Sequence, residues 1–229
     1  MGIRPKVVVL ISANAEWEAI HLLFPDAAYQ ISPFGEWFLQ DKPSQVIFFQ
    51  GGWGKISAAA SAQYAIDRWK PDLLVNLGTC GGFEGEIERG MVILAERAAV
   101  YDIIEQMHDE EPFLAFYATQ IDLSWLAEPY PMDVRRTLLV SADRDLLVEE
   151  IPWLKERYGA VAGDWESGAI AWVAARNGMR LLILRAVSDL VGSGGGEVYG
   201  DYERFKQAAR EIMRRLVVAL PLWLERVKI

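Results

Sequence analysis

Six short apolar runs, each followed by a turn and most of them by a helix signal, constrain this chain more than any other feature. They lie at residues 6–11, 45–50, 73–77, 91–100, 136–141 and 181–187. Val7-Val8-Val9-Leu10-Ile11 is continuous rather than alternating, the pattern of a strand covered on both faces. Leu181-Leu182-Ile183-Leu184 reads the same way. Helical stretches fall between the runs. One begins near Glu16. A second, Ala-rich through Ala58-Ala59-Ala60, spans residues 55–69 and stops at Pro71-Asp72. A third spans 166–177 and ends at Gly178, a favourable residue after a helix C-terminus. The last starts near Asp201, a good N-cap, and carries an apolar stripe of Phe205, Ala208, Ala209, Ile212 and Leu216. Residues 102–132 are polar and weakly periodic, a long excursion rather than a linker. Nothing Gly/Ser-rich divides the alternating elements and no repeat is present. The expectation is one α/β domain over residues 1–229, with a mixed or mostly parallel sheet.

Several function classes are disfavoured by composition. The net charge of −9 argues against a nucleic-acid backbone as partner, since such proteins concentrate Lys and Arg. The first apolar run follows Arg4 and Lys6 but is too short to span a membrane and lacks a small-residue cleavage pattern. One cysteine, Cys80, rules out an intrachain disulfide and fits a reducing, cytoplasmic setting. With two distant histidines, His21 and His108, neither a zinc site nor a Cys–His or Ser–His–Asp site is supported. No metal and no cofactor is expected. The acidic run Asp109-Glu110-Glu111 reads as a solvated loop.

Two acids stand out against the apolar background. Glu166 sits at a helix start and Asp189 at the end of the 181–187 run, both positions at the rim of an α/β sheet, where ligands bind. A carboxylate beside an apolar strand needs a partner or a task. Glu16, just after the first strand, gains interest from the other two. Two glycine-rich turns also follow strands. Gly51-Gly52-Trp53-Gly54-Lys55 offers backbone N–H groups at a helix start, as an anion site would, but lacks the Walker spacing. Gly78-Thr79-Cys80-Gly81-Gly82 would break the third strand and let a ligand approach the backbone.

Four blocks in this order resemble the purine nucleoside phosphorylase and nucleosidase superfamily. They are Ser12-Ala13-Asn14-Ala15-Glu16, Gly52-Trp53-Gly54-Lys55 with its Ala-rich helix, residues 76–82, and Asp164-Trp165-Glu166 through Arg185-Ala186-Val187-Ser188-Asp189. Within the superfamily the chain is most similar to the hydrolytic methylthioadenosine/S-adenosylhomocysteine nucleosidases. The resemblance implies a three-layer α/β/α sandwich around a mixed, partly barrelled sheet, assembled as a homodimer or larger homo-oligomer, and cleavage of a ribose–base bond in a small nucleoside. It implies Asp189 as the general acid at purine N7, oriented by Ser188, and Glu16 as the acid that activates water. Glu166, beside Trp165 where the family often has Met, would grip the ribose hydroxyls. Thr79, Cys80 and Gly81 would line sugar and base, with Arg185 under the site. Tyr199 or Tyr202 would cover the ribose 5′ side.

Two departures matter. Phosphorylases of the family carry Arg two residues before the Gly-Ser/Thr-Cys-Gly turn; here Asn76 stands there, which favours hydrolysis. Where the nucleosidases stack an aromatic on adenine, this chain places Asp145, next to Leu146. The alternatives are a hydrolase for another purine nucleoside of the futalosine type, a phosphate-dependent phosphorylase, or a non-catalytic nucleoside-binding relative.

Overall fold

The computed structural model of the protein describes residues 6–41 and 45–228; Arg4 lies outside them. Among these residues the runs read from sequence become β1 (Val7–Ile11), β4 (Val46–Gln50), β5 (Leu73–Phe83), β6 (Val92–Val100), β8 (Val134–Ser141) and β10 (Leu181–Gly192). Short partners complete one sheet: β2 (Gln30–Ile31), β3 (Glu36–Gln40), β7 (Ala118–Gln120), β9 (Ala162–Asp164) and β11 (Gly195–Gly196). The helices are α1 (Asn14–Leu23), α2 (Lys55–Trp69), α3 (Glu111–Phe116), α4 (Ile151–Tyr158), α5 (Ser167–Arg176) and α6 (Tyr202–Leu224).

The sheet is mixed and partly closed. β1 lies between β4 and β5, parallel to both, and β5 is also parallel to β10. β10 then pairs antiparallel with β6, β6 parallel with β8, β8 parallel with β9, and β9 antiparallel with β5. Those five strands form a ring, which removes two sheet edges. From β1 the chain crosses outward to β4, and from β4 it returns past β1 to β5. Right-handed crossovers in opposite directions place α1 and α2 on opposite faces. α6 packs with α1 and α5 with α2, giving the three layers implied by the resemblance. The apolar stripe of α6 is the reason it docks: Ala209, Ile212 and Leu216 are buried. Asp201 caps that helix, its carboxylate accepting from Arg204 N.

Two readings from sequence need correction. The glycine turn at residues 78–82 does not break the third strand, which continues to Phe83. Its backbone there is paired on both sides, by β10 and then also by β9. Likewise β10 does not end at Asp189; it runs on to Gly192 through a bulge, with Val187 opposite Cys80 and Asp189 opposite Gly81. The glycine-rich segment after it folds back as a hairpin, Val191 opposite Gly196. The 102–132 excursion carries α3 and β7, and β7 extends the sheet at β6. The short strands β2, β3 and β9 and the helix α4 have no strong period in sequence, because a two- to eight-residue element shows too few turns of pattern to register.

Candidate active site

At one end of the strand ring lies a cavity of about 580 Å³. Its wall brings together all twelve residues singled out from sequence: Glu16, Thr79, Cys80, Gly81, Leu146, Trp165, Glu166, Arg185, Ser188, Asp189, Tyr199 and Tyr202. Trp53, Asp145, Asp164 and Phe205 also line it, and the Trp53 and Trp165 rings meet edge to face with centroids 6.1 Å apart.

A buried ion cluster forms the floor. Arg185 points inward from β10 and is 1% exposed. Its Nη1 donates to Thr79 O at 3.1 Å, and its Nη2 donates to Asn76 Oδ1 at 2.9 Å and Glu166 Oε2 at 3.3 Å. Nε lies 3.0 Å from Asp164 Oδ2, close enough for charge attraction though not aligned for a hydrogen bond. Glu16 Oε1 is 3.8 Å from Nη1. Burial disfavours the guanidinium charge, but the carboxylates of Asp164, Glu166 and Glu16 outweigh it and hold the arginine proton more tightly than usual. Gly78 makes this packing possible: a Cβ there would run into Arg185 Nη1 and Glu16 Oε1.

Each acid is held differently. Glu16, in the first turn of α1, reaches back to Ala13 N at 3.1 Å, as the acidic half of a capping box does. Its other oxygen accepts from Thr79 N at 2.6 Å and Thr79 Oγ1 at 2.9 Å. Glu166 is the N-cap residue of α5, one residue ahead of the helix, yet its side chain does not cap it. It accepts instead from Gly54 N at 3.0 Å, so the N-terminus of α2 faces this carboxylate. Burial pushes the Glu166 carboxyl up to about 8; Arg185 opposes the shift, and Asp164 and Glu16 add to it.

Asp189 follows the bulge in β10, where Ser188 has no partner opposite it on β5. Both Ser188 and Asp189 therefore reach the cavity. Ser188 Oγ lies 2.6 Å from Asp189 Oδ1 and 3.2 Å from Cys80 O. Burial raises the Asp189 pKa; the Ser188 bond opposes this, and Glu197 and Asp145 add to it. Asp145, the residue that departs from the family pattern, thus adds to the proton affinity of Asp189. Cys80 is buried, and desolvation with nearby acids drives its thiol well above its ordinary value, so it is no nucleophile. Tyr199 OH donates to Leu146 O at 3.0 Å, tying the segment after β11 to the loop after β8.

The N–H groups of Gly51, Gly54 and Lys55 are not free for an added anion: Gly51 N donates to Ile11 O at 2.8 Å. Glu166 takes Gly54 N, and Asp143 Oδ1 takes Lys55 N at 2.7 Å. Lys55 Nζ pairs with Asp102 and lies 3.7 Å from Asp143 Oδ2. Asn76, standing where phosphorylases have Arg, is fully buried and donates to Leu10 O at 3.1 Å while accepting from Arg185. Among the described residues no three or more His, Cys, Asp or Glu side chains are placed so that they could hold a metal ion.

The family described as the phosphorylase superfamily matches residues 34–220. The chain belongs to the phosphorylase superfamily. Its sequence is similar to the 5′-methylthioadenosine/S-adenosylhomocysteine nucleosidase of Staphylococcus aureus (strain MRSA252), 26% identical over 190 residues, which cover 78% of this chain and 82% of that one. Among solved structures of similar fold are the Streptococcus pneumoniae MTA/SAH nucleosidase in complex with 8-aminoadenine and the Helicobacter pylori nucleosidase with butyl-thio-DADMe-Immucillin-A. The first has a TM-score of 0.77 at 19% identity, covering 97% of this chain and 100% of that one. The second has a TM-score of 0.78 at 16% identity, covering 96% and 100%. Asp164 and Asn76, which anchor the arginine of this superfamily member, carried little signal in sequence. Asp164 reads there as a helix-preceding acid and Asn76 only as a missing arginine.

Glu166 also sets a pH dependence of stability. Its folded pKa, about 8, lies above the ordinary glutamate value of 4.5. Between those values the folded state keeps a proton that the unfolded chain has released, so stability falls as pH rises. Asp189, raised as well, acts in the same direction. Glu166→Gln, neutral throughout, is expected to flatten part of this slope in denaturant unfolding at pH 5 and pH 8. An equal slope in both proteins would count against the assignment.

Proposed function

We propose that this chain hydrolyses the N-glycosidic bond of a purine nucleoside, with 5′-methylthioadenosine or S-adenosylhomocysteine as substrate, releasing the free base and a ribose derivative. The observation that carries this reading is the set of three buried acids converging on one cavity whose two lining cations, among the described residues, each already have an acid partner. Of the two cations on the cavity wall, Arg185 is taken up by the acids, and Arg144 donates to Glu150 at 2.6 Å. An incoming phosphate dianion would meet carboxylates without a compensating charge.

In this reading the roles divide by environment. Departure of the base leaves a cation-like sugar, so carboxylates beside the ribose favour the transition state over the ground state. Asp189, whose proton affinity is raised by burial, protonates or hydrogen-bonds purine N7, and Ser188 orients it. Glu166 accepts from the ribose hydroxyls and trades its Arg185 contact for them. Glu16, already bonded to Thr79, activates water from the opposite side. Thr79, Cys80, Gly81 and Leu146 line sugar and base. Trp165, Tyr199 and Tyr202 form the aromatic wall toward the 5′ substituent. The relatives of similar sequence and fold, bearing nucleosidase names and nucleoside-analogue ligands, support the same chemistry.

The whole chain works as one domain, which the single sheet supports. A cytoplasmic homodimer or larger homo-oligomer fits the exposed apolar Ile56, Ile104 and Met107. No helix among the described residues is long and apolar enough to cross a membrane. A nucleoside panel, incubated with and without phosphate and resolved by chromatography, tests the reading. Free base and free sugar derivative should form without phosphate. Strict phosphate dependence would replace hydrolysis with phosphorolysis, and saturable binding without turnover would leave a binding protein.

A further inference from the structure

A fourth buried acid on the cavity wall has no part in the chemistry above, yet it makes more polar contacts than any of the others. Asp164 ends β9, directly opposite Ser141 at the end of β8. It is buried, and nearly every direction around its carboxylate is filled. Ser141 Oγ donates to Oδ1 at 2.6 Å. Ser167 N lies 3.1 Å from Oδ1 and 3.3 Å from Oδ2, and the Ser167 hydroxyl also bonds Oδ2. Arg185 Nε is 3.0 Å from Oδ2.

These contacts solve a problem at the start of α5. The first N–H groups of a helix need acceptors, and the N-cap side chain usually provides one. Here the N-cap residue is Glu166, whose carboxylate is turned to Gly54 N and Arg185 instead. Asp164 accepts from Ser167 N in its place, and Ser141 Oγ accepts from Gly168 N at 2.8 Å. The same carboxylate fixes the guanidinium. Asp164 holds the Nε side of Arg185, while Nη2 is left to Asn76 and Glu166.

We propose that Asp164 is a positioning residue that caps α5 on behalf of Glu166 and anchors one side of Arg185, so that the Glu166 carboxylate stays turned into the cavity. This rests on the nucleosidase reading only where turnover is measured. Glu166 is faced by Arg185 from β10, Asp164 from β9, Glu16 from α1 and the Gly54 N–H ahead of α2. Neutralising Asp164 removes one negative neighbour and releases more of the arginine charge to Glu166. Both changes make Glu166 ionise at lower pH.

The test needs a readout that does not depend on turnover. The Glu166 carboxyl is followed by carbon-13 NMR of protein labelled at the glutamate side-chain carboxyl, its signal assigned by loss in Glu166→Gln. In Asp164→Asn, which keeps an acceptor for Ser167 N but no charge, the Glu166 midpoint is expected to fall by at least about half a pH unit. Turnover of the nucleoside found in the panel assay should drop about tenfold or more in kcat/KM, with the fold intact by circular dichroism. An unmoved midpoint in folded Asp164→Asn overturns the proposal. If the wild type releases no base but the midpoint moves, the positioning role stands and the nucleosidase reading fails. If Asp164→Asn does not fold, Ser141→Ala loosens the same carboxylate without removing its charge. It should lose several-fold in kcat/KM with the fold intact by circular dichroism, and unchanged kcat/KM would overturn the proposal.

Discussion

Asp189→Asn is expected to reduce purine release at least ~100-fold, the lower scale for losing a general acid. The substitution changes few atoms and keeps an acceptor for Ser188 Oγ, which lies 2.6 Å from Oδ1. What it removes is a carboxyl whose proton affinity is raised by burial, Glu197 and Asp145. Nucleoside binding should stay within a few-fold, because in the proposed reading the ribose is gripped by Glu166 rather than by Asp189. The loss therefore belongs in kcat rather than KM, the signature of an interaction made in the transition state. Single-turnover release of base, beside equilibrium binding of a non-hydrolysable analogue, separates the two. A variant within tenfold of wild type in kcat would end the assignment of Asp189 as acid.

The second large effect is on stability. Arg185→Leu is expected to destabilise the protein by roughly 3–5 kcal/mol near pH 7, the usual result of removing one partner from a buried charge cluster. Glu16, Asp164 and Glu166 would then lie buried around an apolar side chain with no counter-charge. For a chain of this size the melting temperature should fall by roughly 6–20 °C. The sign with pH is defined. Without the arginine the folded state holds protons on these acids that the unfolded chain has released, so the deficit shrinks as pH falls. Melting curves at pH 5 and pH 7.5 measure it. A melting temperature within two or three degrees of wild type at both values would mean that the cluster contributes little. Arg185→Lys should recover only part of the loss, since a point charge does not reach Asp164, Asn76 and Glu166 at once.

Much of this site is legible in the sequence because it sits where local rules are weak. Glu166 and Asp189 stand out since nothing in an apolar strand or an Ala-rich helix calls for a carboxylate. All twelve residues chosen on that basis and on the resemblance line one cavity. The extent of the strands is less legible. Gly78 and its neighbours resemble a turn, yet they lie within β5, because the flanking strands β10 and β9 supply the hydrogen bonds. Gly54 and Lys55 resemble an anion site, yet Glu166 and Asp143 take their N–H groups. These partners lie 112 and 88 residues away, beyond any local pattern.

The sequence by itself determined the α/β class, the order of the main strands and helices, and the presence of unusual acids at their ends. Apolar period and turn chemistry are local properties, and they act on the chain before it folds. Tertiary structure alone decided what the acids are. Closing the strand ring buries one arginine among three carboxylates. It raises the proton affinity of Glu166 and Asp189 by desolvation, and it gives Asp164 the helix cap that Glu166 leaves unmade. Charge, burial and distance between residues far apart in the chain set those properties, and none of the three exists until the chain has folded.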